Sequence, residues 1–390
     1  MGALFEERKK NLIDAISFRE PDKVPVGVQM SNWAFAYAGV RYEDIIDDPD
    51  RVVETFTKHL RDFDFDWAQT GISVPIEVYQ ALGSNNYVFT SDGCCIEHNQ
   101  TQIKYMTVED YDLLINDLAN FNAEILPKRN GEIYQKPFGE AYEMFKNAAR
   151  KALQNEEVTA RIQAVVRERE FITPFSGGDT PRYMSPFNSI FDKYRGIVDA
   201  LTDIRRRPEK VDEACAVLLA NTLKGPAFTH PKDHYDPYPM GRATCHSECF
   251  LNQKDFDKYF MTPFRDHYMQ FVEKGARYYM RGEGRFKQNI EVMSELPKGT
   301  ITIMLDKDDP FETYPIMKDK MPIACGITSS LLKFGTVDEC KDYVKKCFDA
   351  FAPGGGFIFA QNEGLLAAND AKVENFIATF ETAHELSRQK

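Results

Sequence analysis

Strand-like and helix-like segments alternate through the second half of this 390-residue chain. Each short apolar run is followed by a longer segment whose apolar residues have helical spacing. This alternation predicts an α/β protein with a parallel sheet, because a helix usually returns the chain between parallel strands. Over the whole chain the predicted strands lie near residues 25, 66, 173, 228, 279, 303, 324 and 358.

Eight such strands favour a (β/α)8 TIM barrel that forms a single domain over residues 1–390. An open doubly wound sheet is the alternative. Its glycine-rich dinucleotide fingerprint is missing, since residues 354–356 (GGG) precede a strand instead of following one. Residues 84–165 mix short polar strands with helices, and we expect them to form an inserted α+β elaboration of the barrel.

Composition excludes several classes of function. A net charge of −12, with no basic patch, argues against a nucleic-acid partner. The chain has no run of about 18 apolar residues, so we expect no membrane span. The first residues predict a helix and not a signal peptide. The eight irregularly spaced cysteines suggest reduced thiols and a cytoplasmic location.

Residues 278–285, with the sequence YYMRGEGR, are the segment where we place the chemistry. Apolar residues run into Met280, and then charged residues alternate with glycines, as happens where a buried strand emerges into a cleft. In an α/β barrel, catalytic side chains lie at the carboxyl ends of the strands. Arg281, Glu283 and Arg285 are therefore candidates, although a solvated turn after an edge strand would have a similar pattern.

Several motifs together resemble those of the uroporphyrinogen decarboxylase superfamily, and the resemblance runs from end to end. Residues 17–28 (SFREPDKVPVGV) look like its opening segment, and residues 195–211 resemble its "RG…DL…PEKV" segment. Residues 333–339 (KFGTVDE) resemble its "…GTPEEV" segment, and residues 355–359 (GGFIF) resemble its final strand. The resemblance implies a (β/α)8 barrel with its active site at the carboxyl ends of the strands.

Departures from the family pattern favour its methyltransferase branch. The decarboxylases carry an arginine-rich "RQAGRY" motif that holds substrate carboxylates, but residues 29–35 (QMSNWAF) contain no arginine. A polyanionic substrate would then lack its cations. Residues 106–112 and 295–299 look like segments of members found beside corrinoid proteins in demethylation systems. Thiol-methylating members bind zinc through an H-x-C pair and a later cysteine, where this chain has Arg281, Glu283 and Glu363.

These carboxylates allow two interpretations. In the first, Glu283 and Glu363 hold a zinc ion with His246, and the metal polarises a leaving group. In the second, no metal binds, and Glu283 acts as a general acid or hydrogen-bonds the substrate while Arg281 or Arg285 neutralises it.

The remaining candidates are substrate-binding residues. Asp306 ends a strand and could line the barrel mouth, although aspartate also caps helices. Glu77 matches a glutamate of the family's second helix, and a structural salt bridge is the alternative. Trp33 could form an apolar wall for a substrate or corrinoid, although an aromatic residue is more often part of a core. His230 and His234 share a loop with aspartates, but the nearby prolines favour a stiff connection.

From the resemblance we expect a cytoplasmic methyltransferase that moves a methyl group from a small donor, such as a methyl ether, to the corrinoid of a partner protein. Glu283, Glu363 and Arg281 would be its catalytic residues. The alternatives are a decarboxylase or lyase acting on another substrate, and a non-catalytic corrinoid-binding protein. The sequence leaves a homodimer open.

Overall fold

The structure is a computed structural model that describes residues 2–72, 74–84, 86–89, 96–98, 105–125, 127, 131–173, 180–224 and 230–388. The strands are β1 (Gly27–Met30), β2 (Trp67–Thr70), β3 (Tyr87–Phe89), β4 (Ile96–His98), β5 (Arg182–Met184), β6 (Gly241–Thr244), β7 (Tyr278–Gly282), β8 (Ile301–Leu305), β9 (Ile323–Cys325) and β10 (Phe357–Phe359).

The α-helices are α1 (Ala3–Ile16), α2 (Trp33–Ala38), α3 (Pro49–Asp62), α4 (Ile76–Ala81), α5 (Tyr111–Asn116), α6 (Leu118–Asn120), α7 (Phe138–Glu168), α8 (Pro186–Ser189), α9 (Ile197–Arg206), α10 (Pro208–Thr222), α11 (Gln253–Phe256), α12 (Thr262–Val272), α13 (Lys287–Met293), α14 (Pro310–Met317), α15 (Ser329–Phe334), α16 (Val337–Phe351) and α17 (Val373–Ser387). Short π-helical segments lie at Phe121–Ile125, Ile190–Arg195 and Asp257–Met261. Short 3-10 helices lie at Tyr42–Asp44, Glu132–Gln135 and Glu248–Phe250.

Six parallel strands form one sheet in the order β10, β9, β8, β7, β6, β5, and β1 pairs with β2 in a second parallel sheet. Bridges connect these two sheets, since Val26 pairs with Phe359 and Met30 pairs with Leu365. On the other side of β2, Trp67 pairs with Ile172. The structure therefore has the parallel α/β architecture that the alternating pattern predicts.

Two strands differ from the sequence-based predictions. The strand predicted at residues 227–229 lies outside the described residues. The strand next to β7 is instead β6, in a segment that the sequence pattern predicts to be a loop. β5 is a further strand in a segment without a strand prediction. A further strand is predicted at residues 171–175, and the described residues include only its first three positions. Ile172 in this part pairs with Trp67 of β2.

The amino end of the sheet is closed by α1. Leu12, Ala15 and Ile16 are buried against side chains of the sheet, including Tyr279 and Ile358. The backbone amide of Gly356 donates to the carbonyl of Ala15 at 2.8 Å and joins the helix to the start of β10. The helix therefore covers the end of the sheet opposite the carboxyl ends of the strands.

The predicted elaboration, residues 84–165, contains the antiparallel pair β3 and β4 and most of the 31-residue helix α7. The second half of α7 contributes Val158, Ile162 and Val166 to the main core, where the helix packs against α3 and α4. The polar strand predicted at residues 102–106 lies largely outside the described residues.

No helix in the described ranges is both long enough and apolar enough to cross a membrane. The six cysteines in those ranges form no disulfide, and the adjacent pair at residues 94–95 lies outside them.

Candidate active site

A cavity of about 910 Å³ lies at the carboxyl ends of the parallel strands. It receives residues that directly follow the strands: Ser31 after β1, Gly71 after β2, His246 near β6, Glu283 after β7, Asp306 after β8 and Glu363 near β10. Its volume is near the upper end of the usual range for small-molecule sites. Glu283 and Glu363, which are 80 residues apart in the sequence, thus face one shared space.

Two glycines shape the chain around Glu283. A Cβ on Gly282 would lie 2.9 Å from the ring of Phe286, so a side chain there would clash. Gly284 has φ +68°, in the left-handed region that favours glycine, and its amide donates to Asp306 Oδ2 at 2.9 Å. The charged and glycine-rich pattern after β7 is therefore a tight turn that presents Glu283 to the cavity.

His246 stands between two carboxylates. Its Nδ1 lies 2.6 Å from Oδ1 of Asp192, and its Nε2 lies 4.0 Å from Oε2 of Glu283. The hydrogen bond with Asp192 is the main cause that raises the pKa of His246 to about 9, and the charge of Glu283 adds to it. The imidazole is therefore protonated at neutral pH, with Asp192 fixing the ring.

Buried Glu248 holds the loop that carries His246. One of its oxygens accepts a bond from the backbone amide of His246 at 2.6 Å. The other accepts from Ser185 Oγ at 3.1 Å, and the side-chain amide of Asn188 also donates to this carboxyl. Burial raises the pKa of Glu248 to about 7. These bonds fix the position of His246, and Glu248 itself does not line the cavity.

Glu283 has two opposing influences on its ionisation. Burial is the larger and raises the pKa of its carboxyl, while the positive charges of His246 and Arg281 partly oppose this rise. A carboxyl with a raised pKa beside a protonated imidazole has the properties of a general acid.

The cavity also contains cations. Arg281 donates to Oε1 of Gln29 at 2.5 Å, which ties its guanidinium to strand β1. Arg242 of β6 lines the same space. The pKa of Arg242 is lowered, mainly because its guanidinium is partly buried and to a lesser extent because Arg281 carries a like charge. Lys307 forms an ion pair with Glu363 in the cavity wall.

Three of the predicted substrate-binding residues do not line the cavity. Trp33 is fully buried, packs on Phe376 with ring centroids 5.0 Å apart, and donates from Nε1 to the carbonyl of Ala371 at 3.1 Å. Glu77 accepts a hydrogen bond from the Tyr42 hydroxyl. Arg285 lies beyond the Gly284 turn and is exposed. The structure thus places these three residues outside the cavity lining, whereas Asp306 lines the cavity.

The zinc ligands suggested by the sequence do not form a metal-binding group. Among the residues that the structure describes, no three histidine, cysteine, aspartate or glutamate side chains are grouped to hold a metal ion. Glu363 is engaged by the ammonium group of Lys307. The guanidinium of Arg281 lies in the same cavity as Glu283, which further disfavours a cation there. The donor set of Glu283, Glu363 and His246 therefore does not fit zinc.

Sequence reasoning missed Asp192, Glu248 and Arg242. Asp192 lies on a π-helical segment, 54 residues before the histidine that it binds. No local pattern connects the two. Arg242 could have been found only if β6 had been recognised, since its strand position directs it into the cavity. π-helical segments are frequent at functional sites, but sequence does not predict them.

Comparisons with known proteins support the fold. No protein-family model matches the chain, and no curated protein is similar to it in sequence. Among solved structures, a methyltransferase from Methanosarcina mazei is similar, with a TM-score of 0.58 and 12% sequence identity. The match covers 97% of this chain and 98% of that chain. At this identity the likeness concerns the α/β architecture.

Proposed function

We propose that the protein is a methyltransferase that takes a methyl group from a small donor, such as a methyl ether, and passes it to the corrinoid of a partner protein. The observation that supports this most is Glu283, a carboxyl with a raised pKa that lies 4.0 Å from protonated His246 in a cavity of substrate size. The likeness to a methyltransferase of solved structure agrees with this function.

We place this site at the mouth of a closed (β/α)8 barrel. Ile172 pairs with β2 on one side, and β5 pairs with β6 on the other. If these two segments together form the third strand, the parallel strands close into a ring of eight. Catalytic residues are expected at the carboxyl ends of such strands, where this cavity lies.

Glu283 would supply the proton that the leaving group requires. In an in-line displacement the bond between the methyl carbon and the ether oxygen breaks, and the oxygen leaves with the electron pair. Protonation of this oxygen by the Glu283 carboxyl converts the donor to an alcohol and leaves Glu283 as a carboxylate. A corrinoid acceptor, when bound, would supply the electron pair for the new bond to the methyl carbon.

The neighbouring cations would stabilise the carboxylate that Glu283 becomes. Protonated His246 is close to its Oε2, and Arg281 is held nearby by Gln29. Glu283 would then regain its proton from solvent, while Asp192 holds the charged ring of His246 in place. The ion pair of Lys307 and Glu363 offers a donor and an acceptor for polar groups of the methyl donor.

A decarboxylase acting on a carboxylated substrate is a second candidate. The observation in its favour is that Arg242, Arg281 and Lys307 all line the cavity and could bind a carboxylate. Release of carbon dioxide from a panel of carboxylic acids would separate this function from methyl transfer.

The decisive experiment is methylation of free cob(I)alamin, followed by absorbance, with a panel of methyl ethers, thioethers and amines. We expect transfer from at least one donor and a loss of about 100-fold or more in Glu283→Gln, the usual effect of removing a general acid. Glu77→Gln is the matched control, because Glu77 lies outside the cavity. Absence of transfer from every donor, or full activity in Glu283→Gln, would contradict the proposal.

A further inference from the structure

Helix α7 has two apolar faces, and only one of them faces the core. Ala148, Val158, Ile162 and Val166 are buried on the inner face. The outer face carries Phe138, Tyr142, Phe145, Ala149 and Leu153, all of them exposed, and we call these five residues the aromatic stripe. Their spacing of four, three, four and four residues places them in one line along the helix.

The aromatic stripe leaves an unusual amount of apolar surface in water. Phe138 is 87% exposed, Tyr142 is 56% exposed and Leu153 is 67% exposed. Phe138 stacks on Tyr142, and exposed Tyr134 lies against Phe145 with ring centroids 6.0 Å apart, so the rings form one continuous patch. At about 200 Å² per aromatic ring, the three rings of the stripe alone expose roughly 380 Å². Contiguous patches of this size usually mark an interaction surface.

We propose that the aromatic stripe binds the same stripe of a second copy of this chain, with the two α7 helices antiparallel about a twofold axis between residues 145 and 146. This register places Phe138 opposite Leu153 of the second copy and Tyr142 opposite Ala149 of the second copy. Phe138 and Tyr142 then each meet a smaller side chain, and Phe145 lies at the axis against Phe145 of the second copy. The stripe is therefore complementary to its own reversed copy, as a twofold interface requires.

Charges beside the stripe have the same symmetry. Glu143 lies beside its amino-terminal half, while Lys146 and Arg150 lie beside its carboxyl-terminal half. An antiparallel pair places acidic residues of each copy beside basic residues of the other, whereas a parallel pair would place like charges together. Glu143 and Arg150 are both exposed, and the register brings Glu143 of one copy near Arg150 of the other.

The size of the stripe fits a modest dimer. With Ala149 and Leu153 added to the three rings, two copies would bury on the order of 1,000 Å², the lower limit of specific interfaces. We therefore expect dimerisation that depends on protein concentration and not an obligate dimer.

Sedimentation velocity of the full-length protein over a wide concentration range tests the association. We expect a shift from monomer to dimer, and a dissociation constant at least about tenfold higher in Phe138→Ser, as for a residue central to binding. Phe334→Ser is the matched control, because Phe334 is 73% exposed but lies on α15. Thermal unfolding of each variant verifies that it is folded. A monomer at every concentration would overturn the proposal.

A charge swap tests the register. Glu143→Arg and Arg150→Glu should each weaken the dimer, since each places like charges together, and the double variant should restore it. A photoreactive residue at position 149 should cross-link to position 142 of the second copy. A dimer that is insensitive to Phe138→Ser and to the single charge reversals would form through another surface, which would also overturn the proposal.

Discussion

Replacement of Asp192 by asparagine should lower the pKa of His246 and remove stability over a defined pH range. The ring nitrogen and the carboxylate are 2.6 Å apart, and the side chain of Asp192 is only 10% exposed. Asparagine can still accept a hydrogen bond from a neutral or protonated imidazole, but it has no charge. The substitution therefore removes mainly the electrostatic part of the interaction.

The size of the effect follows from the titration of His246. A rise of its pKa from 6.5 to about 9 corresponds to about 3 kcal/mol of stability. Glu283 and Glu248 contribute part of this rise, whereas burial opposes it, so the two effects partly cancel and Asp192→Asn should cost about 3 kcal/mol at pH 6. Because the pKa is raised in the folded protein, this stability is complete below pH 6.5 and is lost as the pH rises through about 9. Above that range the variant should approach the parent protein.

Two measurements test this reasoning. Histidine ring NMR should give a midpoint near 9 in the parent protein and a midpoint near or below 6.5 in Asp192→Asn, with His246→Gln identifying the signal. Denaturant unfolding at several pH values should give the stability difference. Asp342→Asn is the control, because that exposed aspartate pairs with Lys345 and should contribute less than about 1 kcal/mol. A parent midpoint near 6.5, or one that Asp192→Asn leaves unchanged, would refute the argument.

Three further substitutions have expected outcomes that denaturant unfolding can measure. Glu248→Ala leaves the amide of His246 and the donors of Ser185 and Asn188 without their acceptor, and should lower the free energy of unfolding by about 3 kcal/mol or more. Arg195→Met removes a 2.8 Å partner of buried Asp203 and should cost about 2–3 kcal/mol, because Arg207 still pairs with Asp203 at 3.0 Å. Trp33→Phe removes one buried hydrogen bond and should cost about 1–2 kcal/mol, with the rate of methyl transfer unchanged because Trp33 lies outside the cavity.

Elements with strong local signals could be predicted from the sequence. Helix α16 begins and ends where the sequence predicts, at Val337 and Phe351. Its start is set by a capping box, in which Thr336 and Glu339 each bind the backbone of the other residue. Asp48 likewise caps α3 by accepting a hydrogen bond from the backbone amide of Arg51. Such contacts lie within one turn of the helix, so the nearby sequence is sufficient to specify them.

Strand β6 shows where local sequence is insufficient. Its four residues, Gly241–Thr244, include a glycine and an arginine and follow a proline-rich segment, so they resemble a loop. The segment is extended because β5 and β7 provide hydrogen-bonding partners on both sides. Strand formation depends on such neighbours far more than helix formation does.

The site was partly predictable for the same physical reason. Parallel strands bring their carboxyl ends to one edge of the sheet, so charged residues after β7, β8 and β10 share a cavity although they are distant in sequence. No comparable rule of strand arrangement predicts the hydrogen bond between Asp192 and His246. It depends on how a π-helical segment packs beside β6, and that packing is a property of the whole fold.

Strand alternation also explains why one charged residue of the 278–285 segment behaves differently from the other two. Arg281 and Glu283 are two residues apart, so both side chains point to the same face, and both line the cavity. Arg285 would continue this alternation only if the strand continued. The chain instead turns at Gly284, where φ is +68°, and Arg285 reaches the exposed surface. The position of the glycine in the pattern, and not the charge of the residue, thus decides which side chains can reach a substrate.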